Sequence, residues 1–212
     1  MSKETIILYV DSQFISPYAM SVFVTLTEKG IPFQIKKVDL KTKENNQPDY
    51  ANVSLTQRVP TLIHGDFHLS ESSAISEYLD ELYPAPDHSL VYPKDIKCKA
   101  RARQIQAWIR SDFFPIREER STEVVFGQPT EKPLSEAAQK DAARLFAACD
   151  SLIKNGAVNL FKDWCIADTD LALMLNRLVL NGDDVPKKIM DYARNQWRRP
   201  SVQLWVNQER SL

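Results

Sequence analysis

Residues 5–38, TIILYVDSQFISPYAMSVFVTLTEKGIPFQIKKV, decide the fold. Thr5 to Val10 is an unbroken β-branched and apolar run, the composition of a buried strand. After a polar break, Ser16 and Pro17 open an apolar-rich stretch that runs to Lys29. Serine before proline is a favoured helix start, because the hydroxyl accepts an orphan backbone N–H and proline wastes no donor at the first helical position. Gly30 supplies the stop. Phe33, Ile35 and Val38 then mark a second strand, and the 28 positions from Val10 to Val38 suffice for a strand-helix-strand crossover between parallel strands. Downstream, Thr61 to Ile63 and Phe67 to Leu69 flank the turn-like His64-Gly65-Asp66 and read as a hairpin. Ile75, Tyr78, Leu79 and Leu82 follow at helical spacing. Upstream, Lys3 and Glu4 precede only the short run Ile6 to Val10, too brief for a secretory core, so no targeting peptide is expected.

Pro84, Pro86 and Pro93 break any helix and mark a linker. Residues 1–83 carry seven basic and eleven acidic groups, whereas the remainder carries a net +3. Beyond the linker, residues 94–120, 135–154, 166–181 and 186–197 show helical periodicity without strand alternation, which predicts a helical bundle. The expected architecture is therefore an α/β thioredoxin-like domain (βαβ-ββα, residues 1–83), a linker (84–93) and an all-helical domain (94–212).

Composition narrows the function classes. A length of 212 residues is about 1.4 typical domains, room for one large or two small cores. With 43% hydrophobic and 26% charged residues the chain has the make-up of a soluble globular protein. A net charge of -1 gives no global attraction to nucleic acid or an anionic membrane. The five glycines, at 30, 65, 127, 156 and 182, are too dispersed for a Rossmann or Walker phosphate loop. The longest uncharged stretch, residues 12–27, is interrupted by polar residues and falls short of the roughly 20 apolar residues of a membrane span. Three cysteines, Cys98, Cys149 and Cys165, form no C-x-x-C pair, which suits a reducing cytoplasm. His64 and His68 flank a turn with no third ligand evident, so no metal is expected. Arg101, Arg103, Arg110, Arg117 and Arg120 are offset by Asp112, Glu118 and Glu119 and read as a solvated or interface face. Arg194, Arg198 and Arg199 around Trp197 have the look of an RNA contact, against which the overall charge argues. Trp108, Phe113 and Phe114 have the size to line an apolar pocket, and their helical spacing equally suits a core.

Three local motifs carry chemistry. Ser16-Pro17-Tyr18 places a hydroxyl at a helix N-terminus, where N–H groups and the macrodipole favour an anion. Val59-Pro60, within QRVPTL, precedes a strand and is a candidate cis bond. Glu71-Ser72, within ESSAI, sets an acid and a hydroxyl at another helix start. Each alone is also what an ordinary cap or turn requires. Their order and spacing are more specific: 42 residues separate Ser16 from Val59, and Glu71 follows 12 positions after Val59. In this pattern the chain resembles the cytosolic glutathione transferase family, most of all its bacterial serine-type members. The resemblance covers the whole chain and includes CIADTDLAL (165–173), which looks like the family's S/T-x-x-D helix-capping segment.

The resemblance implies glutathione as cosubstrate. Ser16 matches the serine that donates a hydrogen bond to the glutathione sulfur and holds it as thiolate. Val59 matches the residue before the cis-proline whose backbone pairs with the cysteinyl portion. Glu71 and Ser72 match the pair that holds the γ-glutamyl end, and Arg58 is a candidate for the glycyl carboxylate. A helical-domain pocket for a small electrophile or organic peroxide, a homodimer, and a cytoplasmic protein without nucleic-acid or membrane partners complete the expectation. The pattern departs at Cys165, where a thiol replaces the usual serine or threonine and is a weaker acceptor; a less firmly capped helix is expected there. Tyr9, near the position used by tyrosine-type enzymes, is read as structural. Cysteine is absent before residue 98, which disfavours thiol-exchange relatives and a serine-cysteine isomerase or dehalogenase. A non-catalytic carrier or adaptor of the same fold is the alternative, and the Ser16, Glu71 and Ser72 set argues for the enzyme.

Overall fold

The computed structural model describes residues 5–154 and 156–210. They form two compact units, one of residues up to Val91 together with the segment from Asn207, the other from Tyr92 to Val206. In the first unit β1 (Ile6–Asp11), α1 (Pro17–Glu28) and β2 (Gln34–Val38) make the parallel crossover, followed by a short α2 (Pro48–Ala51), β3 (Thr61–His64), β4 (Phe67–Ser70) and α3 (Ser72–Leu82). The sheet is mixed, in the order β2-β1-β3-β4, with β3 antiparallel to both neighbours. This is the thioredoxin-like arrangement.

Local chemistry explains these elements. The Ser16 hydroxyl caps α1, accepting from the Ala19 N–H at 3.2 Å. Gly30, at φ 64, closes the helix, with Gly30 N–H on Thr27 O and Ile31 N–H on Leu26 O, both at 3.0 Å. β1 alternates: Ile6, Leu8 and Val10 are buried on one face, while Tyr9 packs on the other against Tyr50. Helices α1 and α3 lie against each other, pinned by the buried Thr25–Ser76 hydroxyl pair at 2.9 Å. Residues 84–91 are held to this unit. Lys29 Nζ, buried at the end of α1, donates to Asp80 Oδ1 (3.0 Å) and Ser89 O (2.8 Å), and Asp80 also accepts from Val91 N–H. His64 pairs with Phe67 and His68 with Ile63, so the two histidines stand on opposite faces of the hairpin. His64 shares a hydrogen bond with Tyr78 instead.

The second unit contains α4 (Ile96–Ser111), α5 (Phe114–Glu119), α6 (Thr122–Phe126), α7 (Glu136–Leu152), α8 (Ile166–Val179), α9 (Lys187–Trp197) and α10 (Pro200–Val206). Residues 94–120 do not make one helix. Phe113 adopts φ 61 and inserts its ring into the core against Trp108, which ends α4, and α5 restarts with Pro115 in its first turn. Phe114 is exposed. Every residue of α8 except Asp170 is buried, the mark of a central helix. Its N-terminus is better held than a thiol cap implies. The Asp168 carboxylate accepts from Cys165 N–H (2.9 Å), Leu160 N–H (2.7 Å) and the Tyr192 hydroxyl (2.8 Å). Arg120, also buried, forks onto Asp183 at 2.7 and 2.8 Å. The Arg199 guanidinium stacks 3.9 Å from the Trp164 ring centre. Among the described residues no helix is long and apolar enough to cross a membrane.

Candidate active site

Strand register gathers the nominated residues. Thr61 stands opposite Tyr9 in β1 and opposite Ser70 in β4. Three segments therefore leave the sheet at one end: residues 12–16 after β1, 58–60 before β3, and 71–72 after β4. Two strand spacings separate the first from the last, about 10 Å. Ser16, Arg58, Val59, Glu71 and Ser72 all lie on these segments, and α1 and α3 both begin there.

Ser16 is half-buried at the N-cap. Its oxygen accepts the Ala19 N–H, so one lone pair serves the helix and the hydroxyl proton remains able to donate outward. The loop before it is tightly specified. The buried Asp11 carboxylate accepts from Ile15 N–H at 2.7 Å and Ser16 N–H at 3.0 Å. Burial pushes the Asp11 carboxyl up, opposed by these amides and by the positive Arg210. Phe14 sits at φ 52, buried, a conformation that costs a bulky residue about 1–3 kcal/mol. Its carbonyl accepts from Arg210 Nε (3.3 Å) and Nη2 (3.2 Å), and Lys37 Nζ lies 4.8 Å from its ring centre.

The Val59–Pro60 bond is cis. Below this turn lies a buried hydroxyl cluster. The Tyr50 hydroxyl donates to Arg58 O (2.7 Å) and lies 2.9 Å from Thr61 Oγ1, which is within 2.8 Å of Ser54 Oγ and 3.2 Å of Ser70 Oγ. The cluster fixes the Arg58 carbonyl and with it the start of β3; burial pushes the Tyr50 phenol up. Among the described residues, nothing hydrogen-bonds the Val59 backbone N–H or carbonyl. Arg58 itself is exposed.

Glu71 caps α3 from an unusual backbone conformation, φ 74 and ψ 112, with an exposed side chain. Its own side chain makes no cap bond, and its carbonyl accepts from Ile75 N–H at 2.9 Å. Ser72, buried, is the first residue of the helix. The helix N–H groups and the Ser72 hydroxyl form an anion-favouring end beside an exposed carboxylate, a pair suited to a zwitterionic group. Among the described residues no group of three or more His, Cys, Asp or Glu side chains is placed to hold a metal ion.

Sequence reasoning passed over Asp11, Phe14, Tyr50, Ser54, Thr61, Ser70 and Arg210. Asp11 left one signal, an acidic residue ending an apolar strand just ahead of a helix cap. The hydroxyl cluster and Arg210 left none, since ordinary residues distant in sequence supply them.

Comparison with known proteins bears on the family and the fold. Residues 95–209 match the family model "Glutathione S-transferase, C-terminal domain" and residues 15–82 match "Glutathione S-transferase, N-terminal domain". A curated relative, mouse glutathione S-transferase theta-3, is 38% identical over 101 residues, 48% of this chain and 40% of that protein. The chain thus matches well under half the length of this relative. A crystal structure of a glutathione transferase homologue from Burkholderia, with bound glutathione, is 52% identical, covers 96% of this chain and 97% of that one, and superposes with a TM-score of 0.80. A tau-class glutathione S-transferase from mango, 19% identical with 98% and 94% coverage and a TM-score of 0.76, shares the fold.

Proposed function

The chain belongs to the glutathione S-transferase family, and on that premise we propose that it binds glutathione at the sheet end described above and uses Ser16 to hold the sulfur as thiolate. One observation carries the reading: the segments bearing Ser16, Val59 and Glu71-Ser72 leave one end of the sheet from strands two spacings apart, about 10 Å, the reach of an extended tripeptide. The Val59 N–H and carbonyl pair with the cysteinyl portion as an added strand would. Glu71 takes the γ-glutamyl ammonium, Ser72 with the α3 N-terminus takes its carboxylate, and Arg58 meets the glycyl carboxylate.

A free thiol titrates near about 8.5, and each pKa unit is worth about 1.4 kcal/mol. A hydrogen bond to a charged group supplies about 1.5–3 kcal/mol and a helix N-terminus about 0.3–1 kcal/mol. Together they bring the bound thiol down by roughly two units, enough to ionise it near neutral pH. The thiolate then attacks an electrophilic carbon, or the oxygen of an organic peroxide, the latter resolved by a second glutathione. Within the family we place the chain with the bacterial serine-type enzymes and nearest the YfcF-type transferase of enterobacteria, on the Ser16-Pro17-Tyr18 motif; the identity to a bacterial homologue supports the bacterial placement. A cytoplasmic homodimer follows from the same resemblance, and the three free thiols suit a reducing compartment.

Ultraviolet difference absorbance of the thiolate on glutathione binding, titrated from about pH 5 to 9, tests the reading. Wild type should ionise the thiol about two units below its free value, and Ser16→Ala should return it by one unit or more. Glutathione that binds without ionising, or a shift that survives Ser16→Ala, overturns the thiolate role.

A further inference from the structure

The segment after α10 returns to the first unit and brings Arg210 to the loop between β1 and Ser16. Two N–H groups of one guanidinium converge on the Phe14 carbonyl, at 3.3 and 3.2 Å. Phe14 is two residues before Ser16 and is the point of the loop where the backbone enters the left-handed region. Beyond the Phe14 N–H on Asp11 O at 3.1 Å and the buried ring beneath Lys37, this fork holds that conformation. The positive guanidinium also favours the ionised form of the Asp11 carboxyl, and Asp11 is the group that grips the Ile15 and Ser16 amides.

We propose that Arg210 is a positioning residue for Ser16: it locks the Phe14 turn through the carbonyl fork and neutralises Asp11, so that a thiolate beside Ser16 meets a fixed hydroxyl donor and no net negative charge. The proposal rests on the Ser16 reading above. Two physical effects act in the same direction. Without the fork, Phe14 relaxes toward an ordinary negative φ, and the shift passes through Ile15 to the Ser16 cap. Without the guanidinium charge, the Asp11 carboxylate, 3.0 Å from the Ser16 amide, opposes a second anion nearby. Among the described residues, charged groups at this loop include Asp11 on β1, Lys37 on β2 and Arg210 itself; Lys37 lies over the Phe14 ring. Arginine is the side chain suited to both tasks, because its planar fork offers parallel donors while keeping its charge.

The test uses the full chain with Arg210→Gln, Arg210→Lys and Ser16→Ala. Readouts are the bound-thiol titration, glutathione Kd by calorimetry and the far-ultraviolet thermal midpoint. Arg210→Gln is expected to raise the bound-thiol pKa by about one unit, a roughly tenfold loss of thiolate on the acid side of the curve, with Kd within about threefold of wild type. Arg210→Lys, which restores charge without the fork, should recover part of that shift and gives a second variant should Arg210→Gln fold poorly. A bound-thiol pKa unchanged in both Arg210 variants, while Ser16→Ala abolishes the wild-type shift, overturns this proposal alone. An unshifted thiol in wild type overturns the Ser16 reading and this one with it. A pKa rise in both variants accompanied by unfolding of the chain at the titration temperature also overturns it, since general unfolding then explains the effect.

Discussion

Removing the Asp168 carboxylate should show how far one buried acid organises the helical unit. Asp168 is fully buried and meets three donors, with Leu160 N–H and the Tyr192 hydroxyl on Oδ1 and Cys165 N–H on Oδ2. Asp168→Ala leaves all three without an acceptor. Hydrogen bonds to a charged group contribute about 1.5–3 kcal/mol each, but removing a buried charge returns part of its desolvation cost, so a net loss of about 3–4 kcal/mol is expected. Asp168→Asn can keep its oxygen toward Leu160 and Tyr192 while its amide faces the Cys165 N–H, donor against donor, for a loss of about 2 kcal/mol. Tyr192→Phe removes one bond, about 1 kcal/mol. At about 2–4 °C per kcal/mol for a chain of this size, the midpoints should fall by about 6–16, 4–8 and 2–4 °C respectively. The pH profile adds a sign. Burial holds the Asp168 carboxyl above its ordinary value against its hydrogen bonds. The native state therefore keeps the proton at pH values where the unfolded chain has lost it, and this group's contribution to stability falls as pH rises through the raised pKa. Cys165 and Tyr192, which face it, are themselves pushed up and stay neutral throughout this range. Asn cannot titrate, so the wild-type advantage over Asp168→Asn should shrink from pH 4 upward. Thermal and urea unfolding followed by far-ultraviolet circular dichroism measure both effects. A loss below about 1 kcal/mol for Asp168→Ala, an inverted order, or an advantage that grows with pH refutes the reasoning.

Lys29→Met strands the Asp80 carboxylate in the first unit, leaving the Val91 amide as its partner among the described residues, and should cost about 3–5 kcal/mol in urea unfolding, most of it recovered by Lys29→Met/Asp80→Asn; a cost under about 1 kcal/mol would show that water reaches the pair. Burial pushes the Cys149 thiol up to about 12 and Cys165 up as well, while Cys98 is only partly buried. A disulfide reagent near pH 8 should therefore label one thiol in the native protein and three in guanidinium, and fast labelling of two or more native thiols contradicts the burial.

Legibility of the fold followed locality. The crossover from β1 to β2 was readable because each device within it acts over a few residues: the β-branched run, the Ser16-Pro17 start, and Gly30 at the Schellman stop. The break at Phe113 was not. Apolar spacing continues through residues 109–116, and only the third dimension shows that the Phe113 ring fills the core by turning the backbone to φ 61. Pro115, favoured in the first turn of a helix, was the available signal and argues for a restart there. Short α2, α6 and α10 escaped because four to seven residues present less than two turns of periodicity.

The same division runs through the candidate site. Ser16, Glu71 and Ser72 are visible because capping chemistry ties them to the helix that follows, and Val59 because proline marks its neighbour. The groups that aim them have no such local tie. Tyr50 reaches the Arg58 carbonyl across eight positions, and Arg210 reaches Phe14 across 196. Each is an ordinary residue until the chain returns. Seen along the sequence, Arg210 is one more basic residue after Arg194, Arg198 and Arg199; in space its guanidinium reaches the loop that carries Ser16. A hydroxyl at a helix N-terminus is common, and its cap bond alone would leave its direction set by little more than one 3.2 Å contact. What distinguishes Ser16 is that Asp11, Phe14 and Arg210 over-determine the loop that presents it, and a strained turn persists only where its surroundings over-determine it. Motif residues thus name the chemistry, and the non-local supports decide whether that chemistry has a fixed geometry in which to act.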